Sequence, residues 1–315
     1  MWAGVVPHFE KLGYPLVIPD LLGFGGSSKP ADASKYNYRT QANSLCQVLE
    51  REGIMKHSHR VIPIGHDWGS ATCQRFYLYH PERCAGLAIM SLAYQIPSPD
   101  AFDLPTVNEQ TLKRFGYRQW EYWNFFTAPD APELMRQNVE RFWEVNNGNY
   151  ISDEEGEKGR DIWMRLMFAE PNAMREYVTG TGQYKDWTVE MKPYPNEKKQ
   201  RQDFVERMCR DGFEGPVNYY HSLNSNTMLE DEKYLCQPDE NGKDRRKIEK
   251  PMLYVGQDGD WICRTDLMAD AKKAGLVPDL EERAINAGHW CCYECPDKVA
   301  QPFVDWLSKR FPIKA

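Results

Sequence analysis

An apolar run, Val61-Ile62-Pro63-Ile64, leads into the turn Gly65-His66-Asp67-Trp68-Gly69, and the chain continues as Ser70-Ala-Thr-Cys-Gln-Arg-Phe-Tyr77. The apolar run predicts a buried strand, and the stretch after the turn predicts a helix. In such a strand-turn-helix connection the middle residue is forced into a strained conformation that projects its side chain above the end of the sheet. Flanking glycines leave room for the bend. The sequence therefore places the carboxylate of Asp67 at the apex of a nucleophile elbow.

A carboxylate at this apex indicates a particular chemistry. The commoner version of the turn carries serine, which attacks acyl groups. A carboxylate instead displaces a leaving group at a saturated carbon and forms an ester that water must cleave. The alternative interpretation is an ordinary glycine-rich loop with a solvated aspartate, and the partners found further along the chain argue against it.

The composition is that of a globular protein. The chain has 315 residues, of which 41% are hydrophobic and 27% are charged, and its net charge is −7. No cluster of Lys and Arg predicts a nucleic-acid partner. No apolar run reaches the roughly 20 residues that span a bilayer, and the first residues do not form a signal peptide, so we expect a cytoplasmic protein without a membrane span.

The cysteines and histidines do not form a metal-binding motif. Nine cysteines are present, and Cys291, Cys292 and Cys295 lack a second Cys/His pair at zinc spacing, which favours free thiols. His57 and His59 are interpreted as part of a polar loop. We expect neither a metal nor an organic cofactor.

Strand and helix patterns alternate on both sides of the turn, which predicts a mostly parallel sheet. Strands are predicted at Pro15–Asp20, from Val61, at Cys84–Ala93, from Pro251 and at Leu280–Ala287, and a helix is predicted over Tyr38–Glu52. Between them lies a long aromatic-rich region with no convincing strand, interpreted as an inserted helical cap. The predicted division is a first core part at 1–96, the cap at 97–224, a polar connection at 225–250 and a second core part at 251–315. Within the connection, Glu230–Lys250 is predicted to be a polar loop.

Two later segments supply partners for Asp67. Gly256-Gln-Asp258-Gly-Asp260 offers two carboxylates after a predicted strand, and His289 follows the last predicted strand. One carboxylate can hold the imidazole in the tautomer that a general base needs. The order nucleophile, acid, histidine is that of the α/β-hydrolases.

These features together give a specific resemblance. The chain resembles a soluble epoxide hydrolase of the α/β-hydrolase superfamily in Gly65-His-Asp-Trp-Gly69, in Tyr14–Pro30 and in Gly288-His-Trp290 followed by Glu294-Cys-Pro296. The resemblance covers nearly the whole chain and is weakest in the cap. It implies an α/β-hydrolase fold and the opening of a small apolar epoxide by water to a vicinal diol.

The resemblance also implies roles for individual residues. Asp260 rather than Asp258 corresponds to the acid that orients His289. Two cap tyrosines hold and protonate the epoxide oxygen, and the motifs Tyr122-Trp-Asn-Phe-Phe126 and Gly215-Pro-Val-Asn-Tyr-Tyr220 point to Tyr122 and Tyr220. The backbone N–H of Trp68 is implied as one donor of the oxyanion hole.

The sequence departs from the family at one place. In the family, a His-Gly-x-Pro loop gives the second oxyanion donor, and this sequence contains no such loop. The resemblance implies that the first strands are absent too, including one between the Pro15 strand and the Val61 strand. We therefore expect an N-terminally incomplete fold, in which loss of one oxyanion donor costs on the order of 10²–10³ in the rate of ester hydrolysis.

Two other functions remain open. A haloalkane dehalogenase also uses an aspartate nucleophile followed by tryptophan, but halide leaves without a proton and needs no pair of phenols. A catalytically impaired relative that only binds an apolar ligand beneath the cap is favoured by the missing oxyanion loop.

Overall fold

The alternation of strand and helix predicted from the sequence is present in the fold. A computed structural model describes residues 1–54, 59–155 and 158–313, so His57 lies outside the described residues. The strands, numbered in chain order, are β1 Ile64–His66, β2 Leu87–Met90, β3 Gly148–Asn149, β4 Glu190–Met191, β5 Met252–Gln257 and β6 Leu280–Ile285.

The main sheet has four parallel strands in the order β1-β2-β5-β6. One row of the register joins Ile64, Ala88, Leu253 and Glu281. The strands β2 and β5 are buried along their whole length, as continuous apolar runs in a parallel sheet require when both faces are covered.

Alternate residues of β2 contribute to different cores. Leu87 and Ile89 pack into the core beneath helices at 38–51 and 68–79, whereas Ala88 and Met90 pack into the core beneath the helix at 296–310. Successive side chains of a strand point to opposite faces. The sheet is therefore the middle layer of three.

Two of the helices begin at a residue whose side chain caps them. The side chain of Asn37 accepts a hydrogen bond from the Thr40 amide, and that of Asp103 accepts one from the Thr106 amide, which satisfies a donor that lacks an intrahelical partner. The helices are α1 Val6–Glu10, α2 Tyr38–Arg51, α3 Trp68–Tyr79, α4 Leu104–Phe115, α5 Trp123–Phe126, α6 Ala131–Gln137, α7 Val139–Asn147, α8 Trp163–Ala169, α9 Ala173–Thr179, α10 Glu197–Asp211, α11 Glu214–Asn224, α12 Leu229–Leu235, α13 Met268–Lys273, α14 Cys291–Glu294 and α15 Pro296–Arg310.

The aromatic-rich region between β2 and β5 is mainly helical and packs around its own apolar core. That core holds buried aromatic side chains of α5, α7, α8 and α9. The strands β3 and β4 also lie in this region and pair antiparallel over two residues each, so the expectation of no strand there is wrong at this one point. The boundaries 97–224 for a separate cap remain a prediction.

The prediction of a buried strand at Pro15–Asp20 is wrong. Residues 14–20 form no ladder with any part of the chain that the structure describes, and Leu16 and Ile18 are 38% and 54% exposed. A strand is stable only when a neighbour accepts and donates its backbone hydrogen bonds. Here a cavity separates the segment from β1.

The polar connection also differs from expectation. It was expected to be a loop over 230–250, but α12 occupies its first residues, with Leu235 fully buried. Within the described ranges, no helix has the length and apolar character needed to cross a membrane.

Candidate active site

The carboxyl ends of three strands position the site. Asp67 follows β1, Asp260 follows β5 and His289 follows β6. Parallel strands end at the same edge of a sheet, and ligands of open α/β sheets bind outside that edge. The fold therefore brings these residues together from three separate parts of the chain.

Asp67 has a strained backbone. Its φ is 52° and its ψ is −121°, a region that residues other than glycine rarely adopt and that clusters at functional sites. A Cβ on Gly65 would lie 2.3 Å from the carbonyl oxygen of Gly69, whereas a Cβ on Gly69 would meet no described atom within 4 Å. The turn therefore requires glycine at position 65. The expectation that both flanking glycines make room for the bend is correct for Gly65 and wrong for Gly69.

Two carboxylates flank the imidazole of His289. Its Nδ1 lies 2.7 Å from Asp260 Oδ2, and its Nε2 lies 3.8 Å from Asp67 Oδ2. The second oxygen of Asp260 accepts hydrogen bonds from the amides of Ile262 and Cys263, at 2.9 and 2.8 Å. Asp258 is exposed. Of the two acids considered from the sequence, Asp260 is the one in contact with the histidine.

Burial and charge act in opposite directions on this pair. Burial disfavours the imidazolium, but the carboxylates of Asp260 and Asp67 outweigh it and raise the pKa of His289 to about 9. Burial also disfavours an ionised Asp260, but His289 and the two backbone amides hold the pKa of this carboxyl below its ordinary value. Asp260 is thus a fixed negative charge that orients the ring and stabilises its protonated form.

Tyr122 directly precedes α5 and Tyr220 lies in α11, and their rings meet edge to face with centroids 5.9 Å apart. Burial, and then the nearby charge of Asp67, raise the pKa of the Tyr220 phenol. Burial also raises the pKa of Tyr122 well above its ordinary value, with Tyr220 and Asp67 adding to the shift. Both phenols therefore remain protonated hydrogen-bond donors at neutral pH.

Tyr219 points away from the site, although it neighbours Tyr220 in α11. Its hydroxyl lies 2.9 Å from the carbonyl oxygen of Leu22 and 3.0 Å from Gln41 Oε1. Neighbouring residues of a helix face different directions. Tyr220 therefore lies in the site, whereas the hydroxyl of Tyr219 holds α11 against the rest of the fold.

Trp68 is the first residue of α3, and its amide is one of those that an α-helix leaves without an intrahelical acceptor. Its indole packs against Tyr220, with ring centroids 5.0 Å apart, and against Trp123 at 5.8 Å. Position 68 thus places an N–H without an intrahelical acceptor beside Asp67, and an aromatic wall beneath the helical region.

Two further residues of the site were not anticipated from the sequence. The thiol of Cys263 lies 3.7 Å from Asp67 Oδ2, and His66 Nε2 lies 2.8 Å from the carbonyl oxygen of His289. Burial, and then His289, lower the pKa of His66 to about 4, so the neutral ring donates this hydrogen bond. Because His66 is adjacent to Asp67 in the sequence, it could have been predicted to lie in the site. Nothing in the sequence indicated that Cys263, three residues after Asp260, would contact Asp67.

A cavity of about 1250 Å³ opens above Asp67 and His289. The phenols of Tyr122 and Tyr220 and the side chains of Phe126 and Ile262 line it over the site. It also continues between residues 15–19 and β1, where its walls are mostly aliphatic. An apolar cavity with a few converging polar groups is the usual form of a small-molecule site.

Comparison with known proteins matches most of the chain to one family. A family model described as alpha/beta hydrolase fold matches residues 1–296. Bifunctional epoxide hydrolase 2 of Mus musculus is 23% identical over 313 residues, which is 98% of this chain and 49% of that protein. The chain therefore spans about half the length of that relative.

A solved structure and a second relative extend the comparison. Epoxide hydrolase A from Mycobacterium thermoresistibile superposes with a TM-score of 0.71 at 21% identity, covering 97% of this chain and 86% of that one, which is a likeness of fold. A fluoroacetate dehalogenase of Burkholderia sp is 32% identical over 149 residues, 46% of this chain and 44% of the relative.

Proposed function

Because the chain belongs to the alpha/beta hydrolase family, we propose that it opens an epoxide to a vicinal diol through a covalent ester on Asp67. The observation that carries this function is the meeting of a carboxylate on a strained turn, a buried histidine–carboxylate pair and two protonated phenols in one apolar cavity. The curated relatives named epoxide hydrolases support it.

The first step is the opening of the ring. An oxygen of Asp67 attacks an epoxide carbon, a C–O bond of the ester forms and the C–O bond of the ring breaks. The ring oxygen leaves with the electron pair of that bond and takes a proton from Tyr122 or Tyr220, which water later restores. A phenol in a buried site donates to a developing alkoxide without adding a competing base.

The second step is the cleavage of the ester. His289 Nε2 takes a proton from water, and the oxygen of that water attacks the carbonyl carbon of the ester. The Trp68 N–H donates to the oxyanion as it forms. When the tetrahedral intermediate collapses, the diol oxygen leaves and takes the proton from His289, which becomes neutral again. Asp67 is left as the carboxylic acid, and loss of its proton, which balances the proton that restores the phenol, regenerates the carboxylate.

Formation of the ester prepares His289 for this step. The carboxylate of Asp67 is one of the charges that raise the pKa of the imidazole, and esterification removes that charge. The pKa therefore falls, and a larger fraction of the rings is neutral when a base is needed. The chemistry of the first step thus favours the second.

The substrate proposed for this site is a small, mainly apolar epoxide. Phe126, Ile262 and Phe168 line the cavity near the catalytic groups, so the favourable interaction with a substrate is the burial of apolar surface. The phenols provide the hydrogen bonds that fix the position of the epoxide oxygen.

Dehalogenation is the second candidate, because a fluoroacetate dehalogenase shares 32% identity with nearly half of the chain. An aspartyl ester would form in the same way, with halide as the leaving group. It is second because halide takes no proton, which leaves both buried phenols without a role. An impaired relative that only binds an apolar ligand is the third.

The purified protein should be incubated with styrene oxide while diol release and the intact protein mass are followed, with 1-bromobutane and fluoroacetate as parallel substrates for halide release. We expect diol with wild-type protein and no diol with Asp67→Asn. Halide release without diol would establish the dehalogenase instead. A folded protein that gives neither product nor adduct would identify the impaired relative.

A further inference from the structure

Three different metal-binding atoms converge beside the cavity. A carboxylate oxygen of Asp67, the Sγ atom of Cys263 and a ring nitrogen of His289 all lie within 4.8 Å of one another. The carboxylate oxygen is 3.7 Å from the sulfur and 3.8 Å from the nitrogen. The Cys263 thiol has no part in the proposed hydrolysis, so that reaction does not account for its position beside Asp67.

These three side chains are held in place by their surroundings. One oxygen of Asp260 contacts Nδ1 of His289, and the other accepts the hydrogen bond of the Cys263 amide. One buried carboxylate therefore positions two of the three. In the neutral form of the ring, a carboxylate that receives the Nδ1 proton leaves the lone pair of Nε2 directed at the site, as outer partners of metal-bound histidines do. Asp67 is fixed by its turn.

We propose that Asp67, Cys263 and His289 form a zinc-binding site that controls access to the nucleophile. Zn²⁺ binds thiolate sulfur at roughly 2.3 Å and imidazole nitrogen or carboxylate oxygen at roughly 2.0–2.2 Å. In a tetrahedron these bonds place the ligand atoms roughly 3.3–3.6 Å apart. The distances to Asp67 therefore need to shorten by only a few tenths of an ångström.

The set of donors selects the class of metal. Thiolate and imidazole suit zinc, whereas Mg²⁺ and Ca²⁺ take oxygen ligands almost entirely. Three protein ligands leave the fourth position of the tetrahedron for water or a ligand in the cavity. The sequence does not indicate this site, because its three ligands follow three different strands and do not have the spacing of a metal-binding motif.

Binding of zinc would block the proposed hydrolysis. Zinc takes the thiolate of Cys263 and the neutral imidazole of His289, so each group releases a proton to solvent and water leaves the metal as the Zn–S, Zn–N and Zn–O bonds form. No electrons are transferred. Both the attacking oxygen of Asp67 and the basic nitrogen of His289 are then occupied. Zinc is therefore expected to be a reversible inhibitor that competes with the epoxide.

The direct test measures metal binding, which does not require hydrolase activity. Tag-free protein is titrated calorimetrically with Zn²⁺, and in parallel with Co²⁺ while absorption is recorded. We expect one tight site per chain and a thiolate-to-cobalt charge-transfer band. Cys263→Ala should lose the band and weaken zinc binding by at least the roughly 10–100-fold that loss of a supporting outer partner costs. The matched control is Cys209→Ala, because Cys209 is exposed on α10.

Circular dichroism establishes that Cys263→Ala is folded, and Cys263→Ser serves as a second variant that keeps a small polar side chain. Equal zinc affinity in wild type and in both Cys263 variants, or loss of the band in Cys209→Ala, would overturn the site. Where diol formation is observed, zinc should inhibit the wild type and leave the rate of Cys263→Ala at its own zinc-free value. Chelation should restore the wild-type rate.

Discussion

Arg75 and Glu232 form a doubly hydrogen-bonded ion pair, with Nε–Oε1 and Nη2–Oε2 both at 2.7 Å. Their side chains are 6% and 12% exposed. Arg75 also donates to the carbonyl oxygen of Gln95 at 2.7 Å. The pair joins α3, which starts next to Asp67, to α12 in the connection that was expected to be a loop.

Removing one partner of this pair should destabilise the protein strongly. Glu232→Gln leaves the guanidinium of Arg75 buried without a counter-charge, and we expect the free energy of unfolding to fall by about 3 kcal/mol. Urea denaturation measures this. The control is Asp203→Asn in the exposed helical pair Lys199–Asp203, which should cost less than about 0.5 kcal/mol. Equal effects of the two changes would contradict the structural role of Arg75–Glu232.

The turn at Asp67 offers a matched pair of glycine substitutions. Gly65→Ala would place a methyl group 2.3 Å from the backbone oxygen of Gly69, and backbone cannot move aside as a flexible side chain does. We expect loss of most diol formation and a fall in stability of about 2–3 kcal/mol. Gly69→Ala should be tolerated, because the added methyl meets no described atom within 4 Å. Kinetics and thermal unfolding of both variants provide the comparison.

The two phenols should act on ring opening rather than on ester cleavage. Each of Tyr122→Phe and Tyr220→Phe removes one donor to a developing alkoxide, and we expect the rate of ester formation to fall about 10–100-fold. Stopped-flow measurement under single-turnover conditions isolates this step. Tyr219→Phe is the control, since its hydroxyl bonds to Leu22 and Gln41. A Tyr219→Phe enzyme as slow as the other two would contradict the assignment of the phenols.

Replacement of His289 should separate the two chemical steps. In His289→Gln the carboxylate of Asp67 still attacks the epoxide, but the base that activates water is gone. We expect a protein adduct on Asp67 that forms within one turnover and persists, with steady-state diol release reduced at least about 10³-fold. Intact mass after incubation with styrene oxide detects the adduct, and peptide mapping locates it. Rapid diol release by this variant would show that another group acts as the base.

His289 should make the folded protein less stable as the pH rises. The pKa of His289 rises from 6.5 to about 9 in the folded protein, so the native state binds more protons than the unfolded chain between these values. The resulting stabilisation is fully present below pH 6.5 and is lost as the pH rises through about 9. Between about pH 6 and about pH 9.5 we expect the wild type to lose about 3 kcal/mol more than His289→Gln. Urea denaturation of both proteins at the two pH values measures the difference, and parallel curves would refute it.

Much of the site could be predicted because its signals are local. The turn around Asp67 needs only adjacent residues. The strands at Leu87–Met90 and Met252–Gln257 coincide with mainly apolar runs, and the strand at Ile64–His66 begins at the end of one, so a local pattern predicts each of them. The order of Asp67, Asp260 and His289 along the chain then follows from the order of the strands. The family resemblance, not the residue pattern, selected Asp260 over Asp258 and chose Tyr122 and Tyr220.

Other features depend on partners far away in the sequence. Pro15–Asp20 has the composition of a strand, but a strand also requires a neighbour for its backbone, and the neighbouring space belongs to the cavity. Glu230–Lys250 has the composition of a polar loop. The ion pair of Glu232 with Arg75 and the burial of Leu235 stabilise α12 within it.

The sequence by itself determined the parallel α/β core, the strained turn and the kinds of chemical group available, because strand, turn and helix patterns act over a few residues. Only the tertiary structure decided that Tyr220 rather than Tyr219 meets Tyr122, that Asp260 contacts both His289 and the Cys263 amide, and that the Cys263 thiol lies beside Asp67. Each of these contacts depends on where the side chains of segments that are distant in the sequence point. Direction is fixed by packing and by the register of the sheet, which no local pattern encodes.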